Sequence, residues 1–109
     1  MSKATFWQRG EALDYKNNTA ATIEANTIMV MGKRIGVVGG DIAPQATGVI
    51  HTTSVFEMPK AAEAVAWGDT LYWDSSKKCL TVTAGDIVAG YAIHDAAASD
   101  ATVKVKLLG

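Results

Sequence analysis

Apolar residues in this chain recur in short alternating runs rather than at helical spacing. The clearest run is residues 102–107. There Val103, Val105 and Leu107 fall on one face and Lys104 and Lys106 on the other, the period of two expected of a half-buried strand. Residues 27–31 and 34–38 are two β-prone runs joined by Gly32-Lys33. A two-residue connection led by glycine predicts a type II′ hairpin. Residues 70–73 and 79–83 flank the polar stretch Asp74-Ser75-Ser76-Lys77-Lys78 and predict a second hairpin. Near the N-terminus, residues 4–8 and 12–15 predict two short strands separated by Arg9-Gly10-Glu11. The run 46–57 is long for one strand and is expected to bend near Thr52-Thr53. Residues 86–93 add a further strand.

One stretch departs from this style. Residues 60–67 are alanine-rich, with Pro59 in front and Gly68 behind, a local helix signature. Eight residues are marginal as a helix without packing, so an irregular connection with at most one short helical turn is expected there. The pattern as a whole predicts an all-β fold, a small antiparallel β-barrel or sandwich built from hairpins. A faint internal repeat lies beneath it: Gly36, Asp41, Ala43 and Val49 recur 54 positions later as Gly90, Asp95, Ala97 and Val103. That spacing implies two similar β units, an arrangement that also limits exposed sheet edges.

Composition narrows the function classes. The chain has 109 residues, which predicts a single β domain over 1–109, with 1–9 as a flexible N-terminal arm. At 49% hydrophobic and 19% charged it has enough apolar side chains for one modest core. The net charge of -1 argues against a sequence-blind grip on nucleic acid, which needs clustered cations. A single cysteine excludes an internal disulfide. The N-terminus shows no apolar signal region, and no run approaches the ~18 apolar residues of a membrane span, so the expectation is a chain made in a cytoplasm with no membrane partner.

Candidate chemistry is sparse. Gly32-Lys33 resembles the end of a phosphate-binding loop, but Thr27 stands where its first glycine belongs and Arg34 where Ser or Thr must reach the metal. Gly36-Val37-Val38-Gly39-Gly40 has the wrong spacing for a dinucleotide fingerprint. His51 and His94 lie far apart in sequence, and no pair has the short ligand spacing of a zinc site. Cys79 falls on the expected inner face of its strand and reads as a small core residue; pairing with His51 or His94 has no local signature. The aspartates Asp41, Asp69, Asp74, Asp86, Asp95 and Asp100 fall mostly in turns, where Asp bonds to local backbone. No catalytic, cofactor-binding or metal site emerges, and no cofactor is expected.

The aromatic residues say more. Phe6 and Trp7 are adjacent, as are Tyr72 and Trp73. Strand neighbours point to opposite faces, so one of each pair must leave any one core, which suits a protein–protein interface.

Several segments resemble a known family. Val55-Phe56-Glu57-Met58-Pro59-Lys60 is similar to a "GVFELPK" segment, and Gly68-Asp69-Thr70-Leu71-Tyr72-Trp73-Asp74 to a "GDxVYWD" segment. Gly90-Tyr91-Ala92, then Asp95-Ala96-Ala97-Ala98 and the valine strand, resembles a common ending, and Gly10-Glu11-Ala12-Leu13-Asp14-Tyr15 a common beginning. In this order they resemble the DUF2190 family of tailed-phage and prophage proteins. Two positions depart from its pattern: Ser54 precedes Val55-Phe56 where glycine is usual, and Asn26 replaces a glycine before the first hairpin.

The resemblance implies a capsid decoration, or cement, protein of the virion. Such a protein binds the outer head shell as an oligomer and stabilises it without catalysis. The implied partners are the major capsid protein and further copies of the chain as a homotrimer. Phe6, Trp7 and Arg9 are the expected capsid contacts; Phe56, Met58, Trp67 and Tyr72 are the expected oligomer contacts. Another virion component, such as a head–tail connector or tail module, is the alternative. A DNA-handling protein, which the recombinase label of some members suggests, is disfavoured by the absent phosphate loop.

Overall fold

The computed structural model describes residues 2–7 and 10–108. Among them are nine strands: β1 (Ala12–Lys16), β2 (Ile28–Met31), β3 (Arg34–Val38), β4 (Thr47–His51), β5 (Val55–Pro59), β6 (Thr70–Asp74), β7 (Cys79–Thr81), β8 (Val88–Ala92) and β9 (Thr102–Leu107). They form two antiparallel sheets, one ordered β1-β4-β3-β2 and the other β5-β9-β8-β6-β7. The fold is all-β and consistent with a sandwich. Residues 60–67 run as an irregular connection, with isolated bridges at Lys60 and Val65 in place of any helix.

Local chemistry explains the turns. In the β2–β3 hairpin Gly32 has φ 65° while Lys33 does not have a positive φ, as a type II′ turn requires. The run 46–57 bends where expected and divides into β4 and β5, which belong to different sheets. Thr52 anchors the bend: its N–H donates to the Glu11 carbonyl at 3.0 Å and its hydroxyl to the Gly10 carbonyl at 2.7 Å. Ser54 (φ 87°) and Asn26 (φ 67°) both adopt left-handed backbone. These are the two positions where the pattern that the chain resembles usually has glycine, the residue that takes this conformation at least cost.

One expected strand is absent. Residues 4–7 belong to no sheet, and Gln8 lies outside the described residues. The composition of Ala4-Thr5-Phe6-Trp7 suits a strand, but a strand requires a neighbour for its N–H and C=O groups, and no such neighbour lies among the described residues.

The sequence repeat is a structural one. Ile23 and Ile42 exchange backbone hydrogen bonds of 2.9 and 2.8 Å, and Val65 and Ala96 exchange the same pair, both at 2.8 Å. Asp41 accepts the Ala25 N–H at 2.8 Å, as Asp95 accepts the Trp67 N–H at 2.7 Å. Asn26 N–H donates to the Val38 carbonyl, as Gly68 N–H donates to the Ala92 carbonyl. Met29 pairs with Gly36 across β2–β3, as Leu71 pairs with Gly90 across β6–β8. Thus β1, β4, β3 and β2 correspond to β5, β9, β8 and β6, and β7 is an addition to the second unit.

Two apolar clusters result. The main one holds Met58, Leu71, Trp73, Leu80, Val103, Val105 and Leu107, together with Ile35 and Val37 of β3. The lesser one holds Val38, Ile42 and Ile50, flanked by Tyr15, Ile23, Met29 and Met31. Adjacent strand residues face opposite ways, so Val37 and Val38 let one strand serve both clusters. Full burial of a side chain such as Leu71 contributes about 1.5–3 kcal/mol.

Candidate interaction surfaces

The exposed aromatic residues occur in two places. Phe6 is 82% exposed and Trp7 89%, both in the unpaired segment before β1. Arg9, expected to act with them, lies outside the described residues. Trp67 is 63% exposed and follows the Val65 bridge. Its N–H is held by Asp95, the next N–H by the Ala92 carbonyl at 2.8 Å, and the preceding N–H by Asp69 at 2.9 Å. The indole meets the His94 ring edge-on, with centroids 5.1 Å apart at 90°. Trp67 therefore projects from a backbone already fixed, which limits the entropy lost when a partner covers it. Beside it a cleft of about 440 Å³ is lined by Glu57, His94, Asp95, Asp100 and Lys104, among others.

The remaining expected contact residues are more enclosed. Met58 is 1% exposed and belongs to the main core, so it offers no surface in the free chain. Phe56 is half-buried against the same core, its ring centroid 6.4 Å from that of His51. Tyr72 is half-buried and lines a groove of about 480 Å³ with Asp74, Lys77, Thr81 and Glu63. Strands β9 and β8 separate β5 from β6, which places Phe56 and Tyr72 three strand spacings apart, about 14 Å. The four residues expected at the oligomer contact are therefore spread between a core, a turn and a groove.

Polar groups at these surfaces have structural partners. Glu63 accepts the Thr81 hydroxyl at 2.6 Å and the Val82 N–H at 2.7 Å. Those two bonds, the hydroxyl first, hold its carboxyl below the usual range. The grip also stops β7, since the Val82 N–H is turned to a side chain instead of the ladder. Buried Lys60 donates its ammonium to the carbonyls of Ala61 (3.0 Å) and Glu63 (2.7 Å). Cys79 is buried, and desolvation, aided by nearby Asp74, pushes its thiol up, away from the reactive thiolate. His51 lies against Phe56 and His94 against Trp67, and no cluster suited to a metal ion occurs among the described residues.

One surface was not anticipated from the aromatics. β2 reads Ile-Met-Val-Met, forms a sheet edge, and leaves Val30 42% exposed. Its signal in the sequence is an apolar run with no polar residue on either face, next to a hairpin turn.

A family model described as phage cement protein matches residues 7–107. No curated protein and no solved structure matches the chain.

Proposed function

The chain belongs to the phage cement protein family, a structural and non-catalytic family of the virion capsid, and from this premise we propose that it binds the outer head shell as an oligomer, a homotrimer, and stabilises it. The family match over residues 7–107 carries the proposal. The shape supports it: the molecule measures 44 × 41 × 20 Å, a slab that covers much shell area for its mass. So do the two separate aromatic surfaces, because a lattice-bound oligomer needs one contact for its neighbours and another for the shell. Weak contacts multiply when linked copies bind together, so modest area per chain suffices.

Co-sedimentation with heads that lack the protein tests this reading. The expected result is saturable binding in proportion to the coat subunits, with heads that withstand higher temperature. Failure to co-sediment overturns it. A stoichiometry of a single ring per head replaces it with a connector role.

A further inference from the structure

The two units differ at one edge. In the second unit β7 lies along the outer side of β6; in the first, no strand among the described residues lies along the corresponding side of β2. Met31 and Arg34 flank the two-residue turn and pair across the hairpin. In that geometry Met29 and Met31 direct their backbone groups to β3, and the N–H and C=O groups of Ile28 and Val30 point outward.

The other three edge strands are each guarded. β1 carries Asp14 and Lys16, β5 carries Glu57 and Pro59, and β7 is covered by residues 60–61, where the Ala61 N–H donates to the Leu80 carbonyl at 2.8 Å. Charge, proline and coverage are the usual means of keeping a sheet from adding strands. Ile28–Met31 has none of them. It is an edge built to be paired.

The molecule also carries a segment of strand-like composition that belongs to no sheet. Residues 3–7, Lys-Ala-Thr-Phe-Trp, are exposed and make no hydrogen bond to the sheets among the described residues. Phe6 and Trp7 would point to opposite faces of any sheet they joined. β2 has apolar side chains on both faces, Met29 and Met31 on one and Ile28 and Val30 on the other, so each ring finds a partner, including the methionine–aromatic contact. Reach decides which copy supplies the segment. The added position lies four strand spacings from β1, about 19 Å. Five residues from Trp7 to Ala12 span at most about 18 Å, before any detour around a sheet face.

We propose that the outer edge of β2 receives residues 3–7 of a neighbouring copy as an added strand. The inference rests on the oligomeric reading above and gives Phe6 and Trp7 to a contact between copies instead of to the shell. The contact is head-to-tail, one copy giving a segment and the next an edge, and three such contacts close a ring.

Two variants and their mixture test it, with mass measured by light scattering after size exclusion. Deletion of residues 2–7 removes the donor. Val30→Pro removes the outward N–H while sparing the bonds to β3, a substitution that an edge strand tolerates. Wild type is expected above the 11.5 kDa of one chain, and each variant at that mass. Mixed together, the deletion supplies an intact edge and Val30→Pro an intact segment, so a one-to-one complex is expected at twice the mass of one chain. Monomeric wild type, variants that keep the wild-type mass, or variants that fail to pair on mixing each overturn the proposal. Co-sedimentation with heads is scored separately. Wild type that binds heads while the deletion stays oligomeric and loses that binding returns the segment to the shell. Wild type that leaves heads bare fails the functional reading itself.

Discussion

The unit formed by β1 to β4 and the unit formed by β5 to β9 share a backbone plan but fill it differently. Both close a loop pair with one bridge, Ile23–Ile42 in the first and Val65–Ala96 in the second, and both fix it with an aspartate. Both follow their first strand with a buried polar residue that satisfies nearby carbonyls: Asn17 reaches Ala21 and Ile42, and Lys60 reaches Ala61 and Glu63. The first unit nevertheless has only Val38, Ile42 and Ile50 fully enclosed in its own cluster, and it lends Ile35 and Val37 to the larger one. The second has the long apolar side chains and the extra strand. Hydrogen bonding thus sets the plan in both, while the second unit holds the larger share of the buried apolar side chains and the first ends in an unpaired edge among the described residues.

The glycines give the hardest test of that difference. A Cβ at Gly90 would run into the backbone carbonyl of Lys106, whereas one at Gly36 would meet chiefly the side chains of Ile50 and Met31. A side chain can turn aside; a neighbouring strand cannot move without breaking its ladder. Gly36→Ala should cost about 1–3 kcal/mol, the usual range for overpacking. Gly90→Ala should cost more than that, enough to leave the chain partly unfolded at room temperature. Denaturant midpoints decide it, and equal losses would show that β9 yields as easily as a methyl group.

The residues opposite those glycines come next. Leu71 is fully buried, and Leu71→Ala should cost about 2–5 kcal/mol. Met29, its counterpart, is half-buried in the smaller cluster, and Met29→Ala should cost roughly half as much. The same unfolding curves measure both. A larger loss at Met29 would mean that the first unit, not the second, holds the molecule together.

The paired aspartates sharpen the comparison from the other side, because here the units should agree. Each carboxylate takes one exposed backbone N–H across its loop pair. Asp41→Ala and Asp95→Ala should each cost about 1 kcal/mol. Asp95→Ala should also free the Trp67 turn, seen as faster hydrogen exchange at that N–H. Costs that differ by more than twofold would break the equivalence of the two bridges.

These pairs also show which parts of the molecule sequence reveals. The hairpin at Gly32-Lys33, the bend near Thr52, the strand at 102–107 and the Asp41/Asp95 repeat were legible because each rests on local chemistry or on a period of two. The strand expected at 4–8 was not realised over 4–7, because its composition says nothing about whether a neighbour exists. Met58 illustrates the same gap at the expected contact surface. An aromatic or methionine on a strand is equally suited to core or interface, and only the sheet packing around β5 decides that it is enclosed. The unpaired edge of β2 was hidden for a related reason: it becomes visible only when strand order shows β7 beside β6 and no strand among the described residues beside β2.

Glu63 exists only in the second unit and offers the smallest and most specific test. Its carboxylate ties residues 60–63 to the end of β7 through Thr81 and Val82, and those bonds lower its pKa in the folded chain. A group whose folded pKa lies below its unfolded one stabilises the fold above the unfolded value. That contribution disappears as pH falls through the folded value. The stabilisation is therefore complete at pH 7 and is lost below the ordinary carboxylate range. Because the group lies near the surface, solvent screens it and the effect is modest. Glu63→Gln keeps an acceptor for the two donors but cannot titrate. Its denaturant midpoint should lie slightly below wild type at neutral pH and fall less on acidification, so that the two converge below the ordinary carboxylate range. An unchanged gap between the curves across that interval would mean that the shape of the side chain and its two accepted bonds, not its charge, hold the end of β7 in place.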